Sequence, residues 1–158
     1  MKSYPFGRRY VVMFSSLVIV TCALVLVQAQ QPRASTQTSQ HILIHIKEYI
    51  AGIHETYMGL ELADRLQRNG AKVTVWLELQ AVRVADDRVT RGMNPKSGSR
   101  AFFEIYKSFI DHGGRIFVCH HCAGMQALDQ EHLRAGAKFV DVDEVARAVL
   151  EADKILDY

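Results

Sequence analysis

No glycine-rich nucleotide signature is present: the 10 glycines form neither GxGxxG nor GxxxxGK[ST], and residues 47–52 lack a Ser/Thr/Gly-rich phosphate cradle for flavin mononucleotide. Nucleotide binding therefore has no motif behind it. Cysteine is equally scarce, three in 158 residues, and beyond the first 29 residues only Cys119 and Cys122 remain. That is too few for a disulfide framework or a four-cysteine zinc site. There is no second CxxC, and Ala123 stands where CxxCH haem attachment requires histidine. Charge of one sign is missing as well. Basic and acidic residues are mixed, and no run is long enough for a disordered tail or a polyelectrolyte-binding arm.

What is there begins with a leader. Lys2, Arg8 and Arg9 precede an almost wholly apolar run from Val11 to Val27, and Val27-Gln28-Ala29 offers small or short residues at the cleavage positions. Residues 1–29 read as a signal peptide cleaved after Ala29, or as a retained N-terminal membrane anchor, since 17 apolar residues fall between the two types. In both cases the basic end stays inside and the domain is expected in the periplasm or another extracytoplasmic space, touching membrane only through an uncleaved leader. With those three basic residues set aside, 16 remain against all 17 acids, so the domain is near −1. A near-neutral surface without a basic stripe predicts no nucleic-acid partner.

Residues 30–40, "QQPRASTQTSQ", are polar and unpatterned and read as a linker; the domain spans 41–158. "HILIHI" (41–46), "KVTVWLEL" (72–79), "RIFVC" (115–119), "AKFVD" (137–141) and "KILDY" (154–158) read as strands. Helical spacing predicts helices over 53–68, 101–112, about 122–134 and 142–152; Asn69-Gly70 and Gly113-Gly114 stop the first two. Residues 83–99 carry no sustained pattern and read as a long loop. This alternation predicts an α/β fold: a five-stranded, mostly parallel sheet with helices on both faces, in a flavodoxin-like three-layer sandwich. With strand order 2-1-3-4-5, the end of the third strand would face Glu48, Tyr49 and His54.

The chemistry concentrates in "FVCHHCAG", residues 117–124. A cysteine ending a strand just before a helix is expected to gain thiolate character, and His120 or His121, if protonated, would add to it. Cys119 is the candidate nucleophile; Cys122, three residues on, is an accessory or resolving thiol within reach of a helix-start turn. In an oxidising compartment such a pair tends toward a disulfide. Metal binding is the second reading, although four adjacent residues cannot all converge on one ion; no metal or cofactor is expected. His45 reads as a packed strand residue, His54, His112 and His132 as surface residues, and Trp76 as core or interface.

Residues 113–158, from "GGRIFVCHHCAGMQ" to "EADKILDY", resemble the C-terminal half of the DsrE/DsrF-like sulfur-relay family. "ILIHI", "GLELADRLQRNGAKVTVWLEL" and "AVRVADD" are similar to its first strands and helix. The resemblance covers 41–158 and is greatest to exported members with CxxC here. It implies a DsrE-like domain assembling as a homotrimer or homohexamer, with Cys119 carrying a persulfide and sulfur-donor and sulfur-acceptor proteins or small thiols as partners. Cys122 is the variable second cysteine. Two features depart from the relay pattern: Ala127-Leu128-Asp129 stands where Arg-Gly often occurs, and a leader precedes the domain. Three functions follow as expectations: sulfane-sulfur transfer through Cys119, a non-catalytic metal- or ligand-binding oligomer, or a CxxC thiol-disulfide oxidoreductase.

Overall fold

Short β-branched segments separated by amphipathic ones fold here into a single parallel sheet. The computed structural model describes residues 39–89, 94 and 99–158, so the leader, nearly all of the linker and most of the 90–98 loop lie outside the described residues. Strands β1 (His41–Ile46), β2 (Lys72–Leu77), β3 (Arg115–Cys119), β4 (Ala137–Val140) and β5 (Lys154–Asp157) lie in the order β4-β3-β2-β1-β5. Every neighbouring pair is parallel. Helices α1 (Ile53–Arg68), α2 (Phe102–Asp111), α3 (His120–Met125) and α4 (Val142–Glu151) connect them, with a 3-10 segment at Leu79–Ala85. Among the described residues no helix is long and apolar enough to cross a membrane.

The two faces of the sheet are unequally covered. Ile42, Ile44, Ile46, Val73, Val75, Leu77, Ile116 and Val118 point to one side, where they pack with Tyr57, Leu60 and Ala63 of α1 and Phe102, Ile105 and Phe109 of α2. Fully burying each such side chain contributes roughly 1.5–3 kcal/mol, so this face carries most of the fold's stability. Leu43, also buried, lies outside that cluster and belongs to the other face. There α4 is the cover: its Ala148 lines a small cleft with His41, Leu43 and Thr74, yet none of its residues is buried. His45, Trp76 and Phe117 on this face are consequently only half-buried.

The α/β class and five-stranded parallel sheet agree with the expectation, but the strand order is not 2-1-3-4-5. β3 lies between β2 and β4, and β1 is a full strand away from it. Connection lengths alone allow either order, because each crossover helix can return the chain on either side of a preceding strand.

Two segments differ in detail. The expected helix over 122–134 ends at Met125, because Ala127 takes φ +53° and the Leu128 N–H bonds back to the Ala123 carbonyl. Buried Arg134 then ties the following loop down by donating to the carbonyls of Val84, Asp86 and Val89. The expected strand over 72–79 ends at Leu77, and a 3-10 segment runs to Ala85, into the first residues of the expected 83–99 loop: Leu79 enters at φ +49°, and the Ala81 N–H donates to the carbonyls of Lys47 and Glu78.

Candidate functional site

Parallel strands end together, and the ends of β2 and β3 supply the chemistry. The register pairs Trp76 with Phe117 and Leu77 with Val118, so the next residues, Glu78 and Cys119, stand side by side on the face under α4. They line an open cavity of about 780 Å³ with Trp76, His120, His121, Met125, Val140, Asp141, Val142 and Val145.

Cys119 is the N-cap of α3, where its Sγ accepts the Cys122 backbone N–H at 3.2 Å. This is the role usually filled by a Ser or Asp oxygen. Cys122 is buried behind it, both thiols are free, and the two sulfurs and a Glu78 carboxylate oxygen all lie within 4.8 Å of one another.

The thiolate expected at Cys119 is not its resting form. Burial, then the neighbouring Cys122 thiol and the Glu78 charge, push the Cys119 thiol up to about 11, while the Cys122 N–H pulls the other way only in part. A six-residue helix is too short to reverse this. His120 and His121 are exposed on the cavity rim, and His120 stacks on Phe139 with ring centroids 5.2 Å apart. The hydrogen-bond donor to Cys119 is thus a backbone amide, not an imidazole.

Behind Glu78 runs a chain of polar contacts. Glu78 Oε2 lies 3.0 Å from His45 Nε2, His45 Nδ1 lies 2.9 Å from Asp157 Oδ1, and Lys47 Nζ donates to Asp157 Oδ2 at 2.7 Å. The His45 ring stacks on Trp76 at 4.0 Å and 14°. Both Asp157 and Trp76 are register partners of His45, so the sheet itself positions this group. Trp76 Nε1 is buried and has no hydrogen-bond partner among the described residues.

The structure therefore brings Cys119, Cys122, His120 and His121 to one place, and it removes Glu48, Tyr49 and His54 from it. Glu48 and His54 are exposed, Tyr49 is buried beside Arg83, Phe102 and Tyr106, and none of the three lines the cavity. Sequence reasoning missed Glu78 and assigned His45 to packing alone. The signal was present: in "KVTVWLEL" the strand alternation puts Glu78 on the face of Trp76, two residues earlier. Only the correct neighbour for β3 turns that into a site.

None of the curated proteins compared matches the chain. Among solved structures, the ychN protein from E. coli aligns with a TM-score of 0.62 at 20% identity, covering 76% of this chain and 99% of its own. MTH1491 from Methanobacterium thermoautotrophicum, described as a protein of unknown function, aligns at 0.57 and 14% identity, covering 76% of this chain and all of its own. Both likenesses support the fold alone. The family model matches residues 40–158, three quarters of the sequence, and includes every residue of the site. The chain belongs to the DsrE/DsrF-like family, which points to sulfur relay in general.

Proposed function

We propose that this domain handles sulfane sulfur through Cys119, outside the cytoplasm. The observation that carries the reading is the placement of Cys119 Sγ: on the wall of an open cavity, with a backbone N–H aimed at the sulfur. The Cys119 thiolate attacks the terminal sulfur of a donor persulfide; the S–S bond of the donor breaks, its thiolate leaves, and Cys119 holds the persulfide. An acceptor thiolate then attacks that terminal sulfur and Cys119 leaves as thiolate, so transfer requires no net oxidant. The Cys122 N–H stabilises the negative sulfur at both stages.

Cys122 supplies a second exit. Its thiolate attacks the inner sulfur of the persulfide, expels hydrosulfide and leaves a Cys119–Cys122 disulfide. The proximity of the two free sulfurs favours this branch, in which the protein acts as a thiol-disulfide device and must be reduced between cycles. His120 and His121, exposed on the rim, stand where they contact an incoming donor or acceptor, either a protein or a small thiol.

Assembly into a homotrimer or homohexamer belongs to the same proposal. It is supported by exposed apolar residues: Met125 and Val142 at the cavity, and Leu150 and Ile155 elsewhere, with no residue of α4 fully buried within the chain. Packing α4 against a second copy would cover this side.

The reading is tested by loading the reduced protein with a sulfane-sulfur donor, removing the donor and releasing bound sulfane sulfur with cyanide. Thiocyanate in proportion to protein, lost in Cys119→Ser, is expected. Equal thiocyanate from Cys119→Ser would overturn it.

A further inference from the structure

We propose that Glu78, Cys119 and Cys122 form a binding site for a thiophilic divalent cation of the zinc class, with the fourth coordination position open to the cavity. This goes beyond sulfur transfer and does not depend on it.

Geometry is the first support. The three ligand atoms lie within 4.8 Å of one another, and a tetrahedral zinc with Zn–S bonds of about 2.3 Å holds two sulfurs about 3.8 Å apart. Bringing the two sulfurs to that spacing requires at most about 1 Å of contraction, within the reach of side-chain adjustment. The ligands come from three supports that are already fixed: the end of β2, the end of β3 and the first turn of α3.

The donor set is the second. Two thiolates and a carboxylate suit zinc better than copper(I), which favours wholly soft ligands, and magnesium or calcium would reject the sulfurs. On binding, each thiol releases its proton to solvent while Glu78 contributes its existing charge. The products are one metal bis-thiolate carboxylate and two protons, with nothing oxidised or reduced. The dication offsets the negative charge that a carboxylate and two thiolates bring together at one point.

The third support lies behind the ligands. A metal-bound carboxylate is commonly oriented by a hydrogen bond from its far side. Here Glu78 Oε2 meets His45 Nε2 at 3.0 Å, and His45 is itself held by Asp157 at 2.9 Å and by stacking on Trp76. The backbone helps: Leu79, a non-glycine residue, takes φ +49° immediately after Glu78, turning the chain away at the strand end. Glu78 and Cys119 line the cavity while Cys122 is buried behind them, so the remaining coordination position faces the opening. Three protein ligands and one open position are the pattern of zinc sites that bind or activate a ligand, not of closed structural ones.

The test uses the full-length protein, reduced and kept anaerobic, titrated with Co²⁺ as a spectroscopic stand-in for zinc. Thiolate-to-cobalt charge-transfer absorption saturating at one equivalent per chain and abolished by added Zn²⁺ is expected. Cys119→Ser and Cys122→Ser should each reduce this absorption, and Glu78→Gln should weaken binding about tenfold or more. His45→Gln should weaken it about 10- to 100-fold through the lost orienting bond. His54→Ala, an exposed change on α1, should leave the titration as it is. Circular dichroism checks each fold, and if the buried Cys122 variant does not fold, the half-buried Glu78 variant still decides. Absence of the charge-transfer band in the reduced wild type, or an affinity unchanged by Glu78→Gln, would overturn the site. Sulfane-sulfur loading of Cys119 measured in the presence of chelator separates this outcome from that of the sulfur reading.

Discussion

Glu78 and Cys119 stand at the ends of adjacent parallel strands, one residue past the Leu77–Val118 pair, and both face the cavity under α4. Burial first, then the Cys122 thiol, and last the Glu78 charge raise the pKa of the Cys119 thiol. Reactivity then depends on what a donor or acceptor displaces as it enters the cavity.

The first prediction concerns the thiol itself. Burial together with the Cys122 thiol and the Glu78 charge raises the Cys119 pKa to about 11, so the thiolate fraction grows with pH well beyond the point where an ordinary thiol near 8.5 has levelled off. Alkylation of Cys119 in the wild type, followed at that residue by peptide mass spectrometry, should therefore still be accelerating at about pH 10. Glu78→Gln removes a charge that opposes ionisation and should speed alkylation at neutral pH several-fold. A plateau near pH 8.5 with no effect of Glu78→Gln would show that the carboxylate does not act on the sulfur.

Asp64 sets an acid limit on stability. Burial opposes its ionisation, but hydrogen bonds from Arg100 at 2.7 Å and Ser108 at 2.8 Å, with the Arg68 charge, outweigh it and hold the carboxyl below its usual range. A depressed pKa in the folded state stabilises the protein above the unfolded value near 4, and that contribution fades as pH falls through the lower folded value. Asp64→Asn should cost about 2 kcal/mol near neutral pH, discounted for the partly exposed Arg100 partner. Urea unfolding from pH 7 to pH 3 should show the mutant penalty shrinking with acidification; a constant penalty would contradict the assignment.

Gly114 is required by space. A Cβ there would lie 2.3 Å from Cε2 of the Phe109 ring, which sits at the centre of the core. Gly114→Ala should destabilise by about 1–3 kcal/mol, read as a lower urea midpoint with little change in slope. A neutral effect would mean that the turn from α2 into β3 moves freely.

Assembly is checked at α4. Leu150 and Val142 are 85% and 80% exposed, unusual for large apolar side chains on one helix. Sedimentation of the wild type should give a trimer or hexamer, and Leu150→Glu should shift it toward monomer. A monomeric wild type would remove the oligomer from the account.

Much of this fold is legible in the residues, because alternation of "HILIHI" and "RIFVC" with helical spacing after Ile53 and Ala101 carries the element order. The nucleophile is legible as well: Cys119 closes an apolar strand before a CxxC turn. What could not be read locally is the neighbour of β3. That depends on how each crossover packs, a long-range matter that the local pattern of apolar residues does not encode. Since Glu78 joins Cys119 only through the β2–β3 pairing, it was invisible without the order, and so was the role of His45 behind it. Leu79 hid a second clue, since a leucine at positive φ has no compositional mark.

The most direct measurement of the central claim is the intact mass of the protein, without reductant, before and after exposure to a sulfane-sulfur donor, alongside Cys119→Ser and Cys122→Ser. The account predicts a gain of one sulfur that requires Cys119 and persists longest in Cys122→Ser, where the resolving thiol is gone. A mass unchanged by the donor in wild type and Cys122→Ser alike would contradict it.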